Sequence, residues 1–392
     1  MRIGIIVEKF PSQSETFILN KVEGLCTRGH KVTVFRNANH IDEKFERVAG
    51  IQDFPNLTIV NISIKRGPGH LIKNSLKNSF SLLKNLNKPG ALKQTLLTSF
   101  RESYFEKNVC DIYHFEFSGL AISYLDIIKK LPGRIVVSCR GSAEKVKPIA
   151  QPGRKPLLKN LFENVNAIHC VSNDMSETIK LLGAKQKKIF VNKPAIKSGY
   201  FKRSVTYKNN QQIKILSIGR LTFQKGYLIG MLAIKELIKK YPSVIWEIAG
   251  DGLIKEELAF YIHDLQLQNH VQLSGWKTTN EIFELYNMAD IFFLPSVYEG
   301  IANVLLEAMS MELPVVSSDC SGMKEVIEHD SNGMLAPNYD HLQMAEQLFK
   351  LCTDFNKREM MGLNARKTIV EFFDIERQLD VFESVYSNLV EA

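Results

Sequence analysis

The sequence predicts an α/β protein of two doubly wound, parallel-sheet domains facing a cleft. Three observations carry that expectation. The chain has 392 residues, 45% of them hydrophobic, enough for two domains with sizeable cores. Short apolar runs alternate with helix-period stretches in both halves, the pattern of strands joined by helical crossovers. A polar stretch without apolar periodicity, residues 198–212, interrupts the alternation and reads as a linker between a domain at 1–197 and a second at 213–375.

Arg2 to Val7 (RIGIIV) is a buried strand that starts almost at once. Pro11 and Ser12 make a turn. Ser12-Gln13-Ser14-Glu15 has capping-box form, with Ser14 as an alternative N-cap. Phe17, Ile18, Val22 and Leu25 keep helical spacing, Gly29 stops the helix, and Lys31 to Phe35 alternates as a second strand. Residues 57–62 (LTIVNI) read as a third. Residues 65–107 carry Lys65, Arg66, Lys73, Lys77, Lys84, Lys88, Lys93, Arg101 and Lys107 against only Glu102 and Glu106, with apolar residues at helical spacing between them. This predicts basic amphipathic helices, broken at Pro89-Gly90. They either lie on an anionic bilayer or pack on the sheet with their Lys face in water. Val109 to Phe117 (VCDIYHFEF) is a strand in which His114 reads as a satisfied core group. Arg134 to Ser138 is another, ending in Cys139-Arg140-Gly141. A strand at Val165 to Val171, a helix from Asp174 to Leu182 capped by Ser172, and a strand at Lys188 to Asn192 complete the half.

In the second half a strand ends at Gly219-Arg220, and a loop leads through Lys225-Gly226 into a helix. Arg220 and Lys225, five apart, can converge on one diphosphate, with Arg able to bind it bidentately. Val244 to Ala249 and Val271 to Leu273 are strands. After the latter, Trp276 either stacks on a base or packs at the domain edge. Then comes Ile291 to Ser318: a strand, a Pro-Ser turn, the loop Glu299-Gly300-Ile301-Ala302-Asn303, a helix bearing Glu307, and a strand at Pro314 to Ser317. Ligands of open α/β sheets bind at such loops, beyond the carboxyl ends of the strands. Helix N-termini attract phosphate, and Gly300 lets backbone approach a ligand. A carboxylate accepts paired hydrogen bonds from vicinal hydroxyls. By spacing alone, two glutamates eight apart are a weak signal in a chain with 42 acidic residues.

The flanking pattern is more specific. Pro295-Ser296, Glu299-Gly300, Asn303-Val304, Glu307-Ala308-Met309 and Pro314-Val315-Val316-Ser317 resemble the Glu-x7-Glu signature of the retaining glycosyltransferases of family four, which have the GT-B fold. Phe10-Pro11 with Ser14-Glu15-Thr16-Phe17 resembles the exopolysaccharide-assembling, colanic-acid-type branch. The resemblance implies a hexosyltransferase that uses a nucleotide-sugar donor and a saccharide or lipid-linked acceptor. It implies that Glu299 binds donor-sugar hydroxyls, Glu307 the ribose, and Arg220 and Lys225 the pyrophosphate, with Gly219, Gly300, Ile301, Ala302, Asn303 and Trp276 lining the donor site. It implies Arg220, Lys225 and Glu299 as the catalytic residues. It places Ser14, Glu15 and Arg140 on the acceptor side of the cleft. Many members have histidine where this chain has Arg140, which cannot act as a base and can instead hold an anionic group. In GT-B proteins the last helices cross back to the first domain, here expected at about 376–392. No cofactor and no metal is expected: the chain has no Asp-x-Asp to clamp one.

Charge narrows the partners. Residues 1–200 carry a net +16 and residues 201–392 a net −8, so the first half is suited to an anionic surface. A membrane fits better than nucleic acid, because residues 65–107 lack aromatic interleaving or a recognised motif. Six scattered cysteines, no leader pattern and no apolar run of ~18 residues fit a cytoplasmic protein, peripheral on the membrane's cytoplasmic face at most. A nucleotide-sugar epimerase of the same fold and a non-catalytic sugar-nucleotide- or membrane-binding subunit are the alternatives. Intact Arg220, Lys225, Glu299 and Glu307 argue against the latter.

Overall fold

The computed structural model describes residues 1–12, 15–40, 53–62, 91–207 and 209–392. These divide into two units. One comprises Met1–Val171, Ser176–Asn192 and Leu379–Ala392; the other comprises Ser172–Met175 and Lys193–Gln378.

The first unit holds a seven-stranded parallel sheet, ordered β3-β2-β1-β4-β5-β6-β7. Its strands are β1 (Arg2–Ile6), β2 (Lys31–Asn37), β3 (Leu57–Ile62), β4 (Ile112–Phe115), β5 (Arg134–Cys139), β6 (Ala167–Cys170) and β7 (Ile189–Val191). Strands covered on both faces must be apolar almost throughout, and β1, β4 and β5 are. The order reverses between β1 and β4, so the loops that leave these two strands diverge there. Helix Thr16–Thr27 follows β1 with Glu15 at its N-cap position, later than the capping-box reading placed it. The Glu15 side chain makes no capping hydrogen bond.

Of the basic helices expected over 65–107, residues 63–90 lie outside the described residues. Helix Ala91–Lys107 starts after Pro89-Gly90. Among its described side chains Phe100 and Phe105 are buried and Glu106 and Lys107 are exposed; Phe105 stacks on Phe35 at 4.5 Å, and the Arg101 guanidinium lies 4.5 Å from the Tyr124 ring centroid.

The second unit holds a six-stranded parallel sheet, ordered β10-β9-β8-β11-β12-β13. Its strands are β8 (Ile213–Ile218), β9 (Val244–Ala249), β10 (Val271–Gly275), β11 (Ile291–Leu294), β12 (Val315–Asp319) and β13 (Met334–Pro337). The order reverses between β8 and β11, whose paired residues include Ile291 with Ile215. Residues 198–212, read from sequence as a linker, lie within this unit. Arg366 gathers them: its Nη1 donates to Ser198 O at 2.9 Å, to Phe201 O, and to Ser310 O at 2.7 Å.

The C-terminal helical region is broken at Phe373-Asp374, between helices Phe355–Phe372 and Ile375–Glu391, so the helix expected at about 376–392 starts as a separate element. There Ile196 and Asp374 form a β-bridge. From Leu379 onward the last helix belongs to the first unit. Leu379, Phe382 and Tyr386 are fully buried. Arg28 Nη1 donates to Asp380 at 2.8 Å and to Glu383 at 2.5 Å. All six cysteines are buried and none forms a disulfide. Among the described residues no helix is long and apolar enough to cross a membrane.

Candidate active site

The second sheet's point of reversal places the loop after β8 beside the loop after β11. Backbone joins them: Val297 N donates to Gln224 O at 2.8 Å. Gly226 starts helix Tyr227–Lys240 with φ +63, and a Cβ there would sit 2.0 Å from Pro295 O. Only glycine meets both demands. The register of the two loops therefore depends on one residue.

That register brings Lys225 to Glu299. Lys225 Nζ lies 2.7 Å from Glu299 Oε1, Gln224 Nε2 donates to Oε2 at 3.0 Å, and Ser296 Oγ donates to Oε1 at 3.2 Å. Glu299 is thus a buried carboxylate with a cation and two neutral donors around it. Gln224 was not singled out in the sequence, although it is next to Lys225, and Ser296 was named only as part of the signature, without a role. Arg220 is exposed at the end of β8. It acts on the same loop at longer range: burial and Glu299 push the Tyr298 hydroxyl up, and Arg220 opposes them. The Gly219 carbonyl accepts from Tyr227 OH at 3.2 Å.

Ile301 and Ala302 are buried in the apolar core, so their backbone is what remains for a ligand. Asn303, half-buried, opens helix Asn303–Ser310. One turn further, Glu307 Oε2 accepts from the Tyr286 hydroxyl at 2.9 Å. Burial pushes the Glu307 carboxyl up to about 7, and the Tyr286 bond opposes the rise. Glu307 therefore differs from Glu299 in having no cation beside it in any of its described contacts. Trp276 follows β10 with its side chain about half exposed. Its neighbour Gly275 accepts from Gly250 N at 2.8 Å, which ties the β10 and β9 loops together.

In the first unit, Ser14 lies outside the described residues. Arg140 follows β5. Its Nε donates to Glu116 O at 3.1 Å and its Nη2 to Glu116 Oε2 at 2.5 Å, and its guanidinium lies 4.2 Å from the Phe17 ring centroid. Glu116 is fully buried and bonded through Oε1 to Lys21 Nζ at 2.6 Å. Burial alone would raise the Glu116 carboxyl, but the positive charges of Lys21 and Arg140 hold it well below the usual carboxylate range. His114 is satisfied in the core, as its strand position suggested, but it belongs to a polar network that sequence reading missed. A signal for Lys21 was available. Ile18, Lys21, Val22 and Leu25 are all buried, and that i, i+3, i+4, i+7 spacing puts Lys21 on the helix's inward stripe.

Among the described residues no three His, Cys, Asp or Glu side chains converge to hold a metal ion. What the second unit does hold is a pair of cationic side chains and two carboxylates of contrasting environment at a switch point. Two parallel α/β sheets of this order, so equipped, define a GT-B glycosyltransferase. The Anabaena protein HepE, solved in complex with UDP and glucose, superposes with a TM-score of 0.79 at 17% identity, covering 99% of this chain and 100% of that one. The pattern described as "Glycosyltransferase Family 4" matches residues 14–197, and "Glycosyl transferases group 1" matches residues 201–368. The chain belongs to glycosyltransferase family four. The amylovoran biosynthesis glycosyltransferase AmsK of Erwinia amylovora is 28% identical over 371 residues, 90% of each chain. The UDP-Gal:alpha-D-GlcNAc-diphosphoundecaprenol alpha-1,3-galactosyltransferase of Escherichia coli is 30% identical over 200 residues, 50% of this chain and 51% of that protein.

Proposed function

We propose that this enzyme transfers a hexosyl unit from a UDP-sugar to a saccharide acceptor carried on a lipid, with retention of anomeric configuration, during assembly of a surface or exopolysaccharide. The observation that carries the reading is the Lys225–Glu299 pair at the second sheet's switch point, with Glu307 on the next helix. Lys225 and Arg220 take the charge that develops on the leaving diphosphate, helped by the amides opening helix Asn303–Ser310. Glu299 accepts from donor-sugar hydroxyls and Glu307 from the ribose. The departing phosphate oxygen takes the acceptor's proton on the same face, so retention needs no protein nucleophile. Ser14, Glu15 and Arg140 serve the acceptor side.

UDP is chosen because HepE binds it and the Escherichia coli relative uses UDP-Gal. A lipid-linked acceptor is supported by that relative's diphosphoundecaprenol substrate. The first unit also exposes Ile149 and Leu157 among Lys147, Lys155 and Lys159, a mixture suited to an anionic bilayer surface. The cytoplasmic membrane face is the matching location.

A thermal-shift screen of UDP, GDP, ADP and their sugar conjugates, run with and without a chelator, tests the donor. UDP compounds should raise the melting temperature equally in both conditions, and the shift should vanish in Glu307→Ala. No shift with any nucleotide would overturn the transferase mechanism. Formation of an isomeric sugar nucleotide without acceptor would replace it with the epimerase reading.

A further inference from the structure

We infer that Arg140, positioned by Glu116 and Phe17 and backed by Lys21, forms an oxyanion site on the first unit, which takes a phosphate or carboxylate group of the acceptor.

The first argument is placement. Glu116 follows β4 and Arg140 follows β5, at the carboxyl ends of strands beside the reversal between β1 and β4. This is where open sheets bind ligands. The second is preparation. One edge of the Arg140 guanidinium is fixed to the Glu116 carboxylate and carbonyl, and one face lies on Phe17. Among the described residues the two Nη1 hydrogens and one on Nη2 have no partner. The side chain is 17% exposed, so that open edge meets solvent. A planar fork held this way suits an oxyanion bidentately.

The third argument is charge, and hydrogen-bond geometry decides it. Lys21 Nζ, paired with Glu116 as an ammonium, can only donate, so His114 Nδ1, 2.9 Å away, accepts from it, and the Tyr386 hydroxyl lies 2.5 Å from the same nitrogen. His114 Nε2 therefore carries the proton and donates to Ser138 Oγ at 2.7 Å. Ser138 donates to His169 Nδ1 at 2.8 Å, and His169 Nε2 donates to Asn192 O at 2.7 Å. Both imidazoles are neutral in this chain of bonds. Burial also lowers both, His169 to about 3. The buried cluster then holds two cations, Lys21 and Arg140, against one carboxylate, Glu116. The nearby buried Glu144 does not restore balance: it is held by Ser118 Oγ and Gly141 N, and the cation acting on it is Arg154. Buried charge is costly unless paired. A ligand oxyanion on the open edge of Arg140 supplies the missing negative charge.

Assigning that oxyanion to the acceptor rests on the transferase reading; its binding does not. The test is calorimetric titration of inorganic diphosphate and of glucuronate into protein carrying Arg220→Gln and Lys225→Ala, which silences the donor pocket. At least one probe should still bind. Diphosphate would assign the site to a phosphate of the acceptor, and glucuronate to a uronic acid. Adding Arg140→Gln should weaken that probe by about tenfold or more, as loss of a charge-assisted hydrogen bond does. It should leave the unliganded melting temperature near its starting value, since Glu116 keeps Lys21. Glu116→Gln should weaken the probe although it adds positive charge; where that variant does not fold, Phe17→Leu makes the same test. Binding by neither probe, or equal binding with and without Arg140→Gln, overturns the site. Tighter binding by Glu116→Gln overturns the positioning role. Failure of the donor reading would appear separately, as absent nucleotide binding in the wild type.

Discussion

The Lys225–Glu299 contact sets two tasks against each other. In the proposed function Lys225 serves the leaving diphosphate and Glu299 the sugar, yet here each holds the other at 2.7 Å, with side chains only 13% and 9% exposed. Glu299→Gln separates the tasks. It removes the charged partner of Lys225 and keeps the shape. A hydrogen bond between charged groups is worth about 1.5–3 kcal/mol, and at this burial solvent screens little of it. If diphosphate must draw Lys225 away, the variant should bind UDP about tenfold more tightly, equivalent to ~1.4 kcal/mol. The charged acceptor for the sugar hydroxyls is lost at the same time. Turnover, as kcat/KM for the UDP-sugar, should fall by about 10- to 100-fold. The assay is calorimetric UDP binding beside initial rates on the same protein. UDP affinity that falls or stays constant in Glu299→Gln would refute the competition, even if turnover fell as expected.

Two further outcomes follow from the same loops. The Glu307 carboxyl is raised to about 7, so its contribution to folding is full below the ordinary carboxylate pKa and is lost as pH rises through 7. Ribose hydroxyls favour the ionised form, so UDP affinity should weaken as pH falls from 8 to 6, and Glu307→Gln should flatten that profile in an isotherm series; an equally steep profile in the variant would exclude Glu307 as its source. Gly226→Ala forces a side chain into a left-handed backbone position, 2.0 Å from Pro295 O. It should lower stability by about 1–3 kcal/mol, read as a reduced melting temperature, and reduce nucleotide binding by disturbing the Lys225–Glu299 register; unchanged values for both would show that the loops are not coupled there.

The parts of the fold that were legible share a physical cause. A strand buried on both faces must be apolar along its length, and β1, β8 and β11 could be read directly for that reason. β13 could not: its residues Met-Leu-Ala-Pro include no β-branched or aromatic side chain and end in proline, so nothing in them favours a strand over a loop. The break at Phe373-Asp374 was hidden because apolar spacing continues across it. In the site, residue types at loop positions were visible, but pairings were not. Lys225 and Glu299 are 74 residues apart and Lys21 and Glu116 are 95 apart, distances over which no local pattern operates. Lys21 was missed because only the apolar positions of its helix were read, although its spacing from Ile18, Val22 and Leu25 puts it on the same stripe.

The last helix has a consequence for how the protein is made. Gly24 leaves room for Leu379, and Lys21 lies over the Phe382 ring at 3.9 Å. Helix Thr16–Thr27 thus shares a core with a helix that follows every strand of the second sheet in the chain. Every strand of the second unit has been synthesised before Leu379 appears. The unit that starts first is therefore completed last, and a nascent chain halted before Leu379 holds a whole second sheet beside a first one with an open flank. Chaperone capture of stalled chains and sensitivity to C-terminal deletions should both centre on that flank.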